Sequence, residues 1–235
     1  MSENYTRSLG EIVAGATTAA LATVTQKPPW AHIAKVTVST DSNYLFCPEL
    51  RKVWLYENGA GSYTDLIDNA KDKNTSTKVI LDSFADDDYL YIAADEPFRG
   101  IAVDVSAANG TSSVITVDLS DGDGTWTDSS DTDGTISSGK TLAVDGLITW
   151  TIPSTWLPDT VNGMERMYWV RISVSSTLDS EVELDSLTLL NRETVGASIE
   201  TATGGEVEIL MGGKGGLEFT AAAGTPANAI QWLGR

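Results

Sequence analysis

Residues 168–174 read Tyr168-Trp169-Val170-Arg171-Ile172-Ser173-Val174, with Tyr168, Val170, Ile172 and Val174 alternating against Trp169, Arg171 and Ser173. A period of two sends successive side chains to opposite faces, so this is a strand with one apolar and one mixed face. The period recurs outward in both directions. Ile101, Val103 and Val105 share a face, as do Ile115, Val117 and Leu119, and then Ile148, Trp150 and Ile152. Val182 and Leu184 lie in one phase but Leu187 and Leu189 in the other, which predicts a bulge near Asp185 or Ser186 that keeps both pairs inward. Turn-forming pairs separate these runs at Asn109-Gly110, Asp121-Gly122-Asp123-Gly124, Asp145-Gly146 and Asn162-Gly163. No segment of helical length keeps a 3.6-residue apolar stripe free of Gly or Pro. The expected fold is all-β, an antiparallel β-sandwich of jelly-roll or immunoglobulin-like type over residues 50–192.

The flanks read differently. Residues 1–49 are expected to be an N-terminal arm and hairpin. The first 30 residues have little periodicity and end at Lys27-Pro28-Pro29-Trp30, an extended arm that orders on docking, and Ile33 to Val38 pairs with Tyr44 to Cys47 around Thr40-Asp41-Ser42-Asn43. Residues 193–235 are expected to be a C-terminal hairpin and docking segment, with Glu206 to Met211 and Leu217 to Thr220 on either side of Gly212-Gly213-Lys214-Gly215-Gly216. The closing Ile230-Gln231-Trp232-Leu233 is too apolar to stand free and requires cover from the domain or a neighbour.

Composition excludes several function classes. The 235 residues carry 33 acidic and 15 basic side chains, a net charge of −18, with one cysteine and one histidine. Such a chain lacks the basic stripe that phosphate backbones require, so no nucleic acid is expected as partner. No run reaches the roughly 18 apolar residues of a spanning helix, and no membrane partner is expected. Glu3 and Glu11 cancel the positive region a secretory leader would need, so none is expected. Without export, the sequons at Asn4, Asn74 and Asn109 are expected to be chance matches.

Chemical motifs are sparse. Gly134-Thr135-Ile136-Ser137-Ser138-Gly139-Lys140-Thr141 matches the phosphate-loop expression, yet it follows an Asp-rich segment and runs toward another strand rather than opening a helix. His32 is the sole histidine and lies beside the Pro-Pro segment, while Cys47 reads as a small buried hydrophobe. No catalytic residue and no cofactor-binding residue is assigned, and the protein is expected not to be an enzyme. The acidic residues concentrate in 82–133, where thirteen Asp or Glu face the single base Arg99. Asp121, Asp123 and Asp128 are the residues from which a Ca²⁺ site would be built, but the spacing departs from the EF-hand: Thr125 is third, Trp126 stands where Gly is needed and Thr132 replaces the last Glu. No metal is assigned, and the acidic belt is read as a solvated surface. Trp150 and Trp156 are expected in the core; Trp126 and Trp169, the latter beside Arg171, are expected to be exposed. A subunit-contact role is the first reading of those two, and a platform for stacking on sugar rings the second.

Tyr89-Leu90-Tyr91-Ile92, Glu96-Pro97-Phe98-Arg99-Gly100-Ile101, Asp145 to Pro153 and Tyr168 to Val174 resemble a β-sandwich module of tailed-bacteriophage virion proteins over about residues 53–190. The resemblance implies a head-decorating, tail or baseplate protein without catalytic residues. It does not fix the position on the virion; because the chain is short, self-contained and free of repeats, the expected role is a capsid-decorating and stabilising protein on the virion exterior, made in the bacterial host cytoplasm, and the expected partners are other virion proteins and above all the major capsid lattice. Self-association is expected, with a trimer the expected oligomer. Contact candidates are Trp30, Trp126, Trp169, Arg171, Ile230, Trp232 and Leu233. The alternative is a tail, baseplate or adhesin module that binds carbohydrate.

Overall fold

The strand at 168–174 forms as its alternation requires, and its apolar face lies against a second sheet. A computed structural model describes residues 12–13, 22–27, 31–38, 42–71, 76–193, 197–199, 206–221 and 228–234, and is all-β, about half of the described residues being strand with one short helix. The strands are β1 (Ile12–Val13), β2 (Ala22–Gln26), β3 (Ile33–Val38), β4 (Ser42–Cys47), β5 (Lys52–Glu57), β6 (Ser62–Asp65), β7 (Val79–Ile80), β8 (Tyr89–Ala94), β9 (Gly100–Ala107) and β10 (Ile115–Ser120). They continue as β11 (Trp126–Asp128), β12 (Thr132–Asp133), β13 (Gly146–Thr149), β14 (Tyr168–Val174), β15 (Glu183–Leu189), β16 (Ala197–Ile199), β17 (Glu206–Leu210), β18 (Gly216–Ala221) and β19 (Asn228–Leu233), with one short helix, α1 (Ile67–Lys71).

Two antiparallel sheets make the central sandwich, one ordered β11-β10-β14-β8-β5-β6 and the other β12-β13-β9-β15-β7. The chain crosses between them repeatedly, from β8 to β9, β9 to β10, β13 to β14 and β14 to β15. Each crossing sets an apolar face opposite another. Val117, Val170, Ile172 and Ile92 of the first sheet join Ile101, Val103, Ile148 and Leu187 of the second in one buried cluster. The pairing of β15 with β9 shifts register between Leu184 and Ser186, and Val182, Leu184, Leu187 and Leu189 are all buried, as the change of phase predicts. Trp150 and Trp156 lie edge-on to Phe98 at 5.5 and 5.1 Å in the same core.

The two ends of the chain build a smaller second lobe. Its sheets are ordered β1-β2-β18-β4-β16 and β17-β3-β19, and Ala34, Val36, Ile209, Met211, Leu217 and Phe219 are buried between them. This revises the reading of the flanks. Ile33–Val38 and Ser42–Cys47 do not pair with each other but lie in different sheets, and so do Glu206–Leu210 and Gly216–Ala221. Each strand instead takes a partner from the opposite end of the chain: β18 runs between β2 and β4, and β3 between β17 and β19. The segment expected to be an arm includes β1 and β2, which are sheet strands. The physical reason is that alternation marks a strand, whereas its partner is chosen by whichever edge can also cover its apolar face.

The lobes meet along a seam. Cys47 and Val24 pack on Ala102 and Leu190, and the Gln26 amide donates to the carbonyls of Ala70 and Leu187 at 2.8 and 3.1 Å. Across the seam the Arg99 guanidinium donates to Glu218, a carboxylate only 3% exposed.

Candidate functional site

The second face of the six-stranded sheet carries an aromatic surface. Because β5, β8 and β14 alternate, the residues opposite the core fall into rows, and one row crosses all six strands: Asp128, Asp118, Arg171, Tyr91, Trp54 and Asp65. Tyr89, Tyr56 and Tyr63 form the adjacent row. The rings touch in series: Trp126 to Tyr91 at 5.7 Å, Tyr91 to Tyr63 at 5.9 Å, Tyr63 to Tyr56 at 4.8 Å, and Tyr56 stacked on Tyr89 at 6.4 Å. Arg171 lies between Tyr89 and Trp126, 4.8 and 5.0 Å from their ring centres, and its Nε donates to Asp118 at 2.9 Å. At the other end Lys52 lies 5.5 Å over Trp54 and pairs with Asp65 at 3.2 Å. Burial pushes the Tyr91 phenol up to about 12, helped by its neighbour Tyr63, so it remains a hydroxyl donor across the neutral range. Burial also tends to raise the Asp65 carboxyl, but hydrogen bonds from the Ile67 N–H, Lys52 and Trp54 outweigh it and leave it lowered and charged.

Trp169 is not exposed, contrary to its expected place. It does point away from the core, yet the loop from Asp159 to Met167 folds over it, packs Val161 and Met167 on the ring and accepts its Nε1–H on the Asp159 carbonyl at 3.0 Å. It lies 5.4 Å from Trp54, the two rings tilted by 31°, and is fully buried. Trp126 and Arg171 are half-buried members of the aromatic face. Tyr56, Tyr63, Tyr89 and Tyr91 were missed as a group because each looked like an isolated strand residue. The signal was present in Tyr89-Leu90-Tyr91, whose two tyrosines share a face.

Ile230 packs against the terminal-lobe core and Leu233 is half-buried, whereas Trp30 lies outside the described residues and of Trp232 only the backbone, in β19, is described. Leu233 pairs with Ile33, and Ile33 with Leu210, on the outward face of the three-stranded sheet. Leu210 is 73% exposed, so this row opens onto solvent.

Elsewhere the carboxylates are absorbed locally. Asp123 accepts from the Thr125 N–H and hydroxyl at 3.2 and 2.9 Å, Asp121 from the same hydroxyl, and Asp128 from the Ser130 N–H at 2.8 Å. Among the described residues no three His, Cys, Asp or Glu side chains come together as a metal site. In the phosphate-loop look-alike, Asp133 accepts from both Thr135 and Thr141 hydroxyls at 2.6 and 2.5 Å. Its first glycine has a packing reason, since a Cβ on Gly134 would lie 2.6 Å from the Leu147 carbonyl oxygen. Cys47 is fully buried, and desolvation, with Glu218 adding to it, drives the thiol well above its ordinary range, the reverse of what a nucleophile needs. Asn109 is buried, with its amide donating to Thr111 and Thr141.

No protein-family profile matches the chain, and no curated protein matches it at a significant level.

Proposed function

We propose that the protein is a non-enzymatic structural component of a tailed-phage virion, a head-decorating protein seated on the capsid lattice through its terminal lobe. The observation that carries the reading is the open apolar row Leu210, Ile33 and Leu233 on a lobe built from both chain ends. Three aligned aliphatic side chains are an ordinary start for a docking surface; burying the exposed Leu210 contributes about 1.5–3 kcal/mol, and the half-buried Ile33 and Leu233 add less. Copies joined as a trimer at a symmetry axis multiply that modest contact. The segments that resemble phage modules form β8, β13, β14 and the turn into β9, in the middle of the sandwich. A net charge of −18 suits the outside of the particle, away from packaged nucleic acid.

Co-sedimentation of purified protein with undecorated heads and with isolated tails tests this. The expected result is saturable binding to heads that Leu210→Asp abolishes without lowering the melting temperature. Binding only to tails, or to neither, overturns the head assignment.

A further inference from the structure

We infer that the aromatic face of the six-stranded sheet binds a neutral oligosaccharide, laid across the strands along the rings of Tyr63, Tyr56, Tyr89 and Trp126. The inference is independent of the capsid-docking reading and concerns the other lobe.

Three observations carry it. The first is dimension: from β11 to β6 there are five strand spacings of roughly 4.8 Å, a platform of about 24 Å that accommodates several sugar rings in line. The second is the chemistry of what stays accessible. Trp54, Tyr91 and Trp169 are buried as a floor, while Tyr56, Tyr63, Tyr89 and Trp126 remain half-exposed upon it. Four of these seven rings are tyrosines, which pair an apolar ring face with a hydroxyl donor and acceptor, and a pyranose is amphipathic in the same way. The third is charge. Arg171 is held between two rings and neutralised by Asp118, and Lys52 by Asp65, while Asp128 ends the row. On a chain of net −18 this face repels sulfated, sialylated or phosphorylated chains and offers an uncharged polyol fixed donors and acceptors. The rings are pre-ordered by packing on one another and Arg171 by its ion pair, so little entropy is lost on binding.

The test is affinity electrophoresis and calorimetric titration of the full chain against neutral gluco-, xylo-, manno-, galacto- and N-acetylhexosamine oligosaccharides. Sialylated and sulfated oligosaccharides form a counter-panel. At least one neutral series should bind, with a dissociation constant that changes little between ~50 and ~500 mM salt, because no net charge is neutralised. Tyr89→Ala and Trp126→Ala should each weaken it about tenfold or more, while Leu210→Asp leaves it unchanged. Where an alanine variant fails to fold, Tyr89→Leu and Trp126→Leu, checked by an unshifted melting temperature, serve instead. Absence of any neutral ligand at millimolar concentration, binding confined to the charged panel, or binding that survives loss of both rings overturns the inference. Head binding by the same protein is read separately, so failure here leaves the docking proposal standing.

Discussion

The central sandwich and the terminal lobe are both antiparallel β structures, but they are held together in different ways. The sandwich fills its interior with large side chains, Phe98, Ile92, Ile101, Leu119, Ile148, Leu184, Leu187 and Leu189 all being fully buried, and its strands follow one another closely in the chain. The lobe has a thinner core that includes Ala31 and Ala34, and β2 finds β18 only after most of the chain has intervened. Closing so long a loop carries an entropic cost that grows slowly with length but must be met before any contact forms. A folded sandwich brings the ends together and removes much of that cost. The difference teaches that dependence runs one way: the lobe needs the sandwich, while the sandwich meets the lobe along a seam that includes Ala102 and Leu190, Gln26 on Ala70 and Leu187, and Arg99 on Glu218.

The sharpest way to break this asymmetry is to damage each region in turn. Trp169→Ala empties a fully buried site of the sandwich and should destabilise by about 3–5 kcal/mol, with both lobes lost in one calorimetric transition. Phe219→Ala should instead produce an early transition for the lobe, leaving the near-ultraviolet signal of the sandwich tryptophans intact. One common transition for both variants would mean that the lobes are mutually dependent.

The seam offers a somewhat smaller effect. Arg99→Ala leaves Glu218 buried without its cation and should cost about 3 kcal/mol, the low end for such a pair because Arg99 retains some solvent contact. Joint replacement by Met at 99 and Leu at 218 should recover most of that loss in chemical denaturation. A double variant as unstable as the single one would show that the pair acts through its geometry rather than its buried charge.

Its pH dependence follows with a definite sign. Burial raises the Glu218 carboxyl above its ordinary range more than Arg99 lowers it. The folded state therefore keeps this proton to higher pH than the unfolded chain does. The contribution is fully present below the unfolded value of about 4.3 and is lost as pH rises through the folded one. Glu218→Gln should flatten the melting-temperature profile above about pH 4.3, and parallel profiles for the two proteins would refute the assignment. The smallest effect on stability is expected at Leu210, where Asp should change unfolding free energy by no more than about 0.5 kcal/mol because the side chain faces solvent. Urea denaturation reads this directly, and a larger loss would place Leu210 in the lobe's packing rather than on a docking surface.

By itself the sequence determined the all-β character of the chain and the inward face of the main sandwich strands. The alternation at 101–105, 115–119 and 168–174, the phase change between Leu184 and Leu187, and the core placement of Trp150 and Trp156 all depend on neighbours a few residues away, where a period of two leaves no choice of face. The context of the phosphate-loop look-alike was legible for the same reason. Only the tertiary structure decided what covers the opposite face. Trp169 has the same local pattern as Arg171, yet one lies under the Asp159 to Met167 loop and the other beside Trp126, because the loop that leads into β14 folds back over the start of the strand and alternation does not show where a loop folds. It also decided the partners of β3, β4, β17 and β18, since each tight-turn signal announces a reversal of the chain but does not specify which sheet receives the next strand. The candidate sugar site lies on that undetermined side. Its tyrosines come from β5, β6 and β8, and only sheet pairing turns three separate segments into one surface.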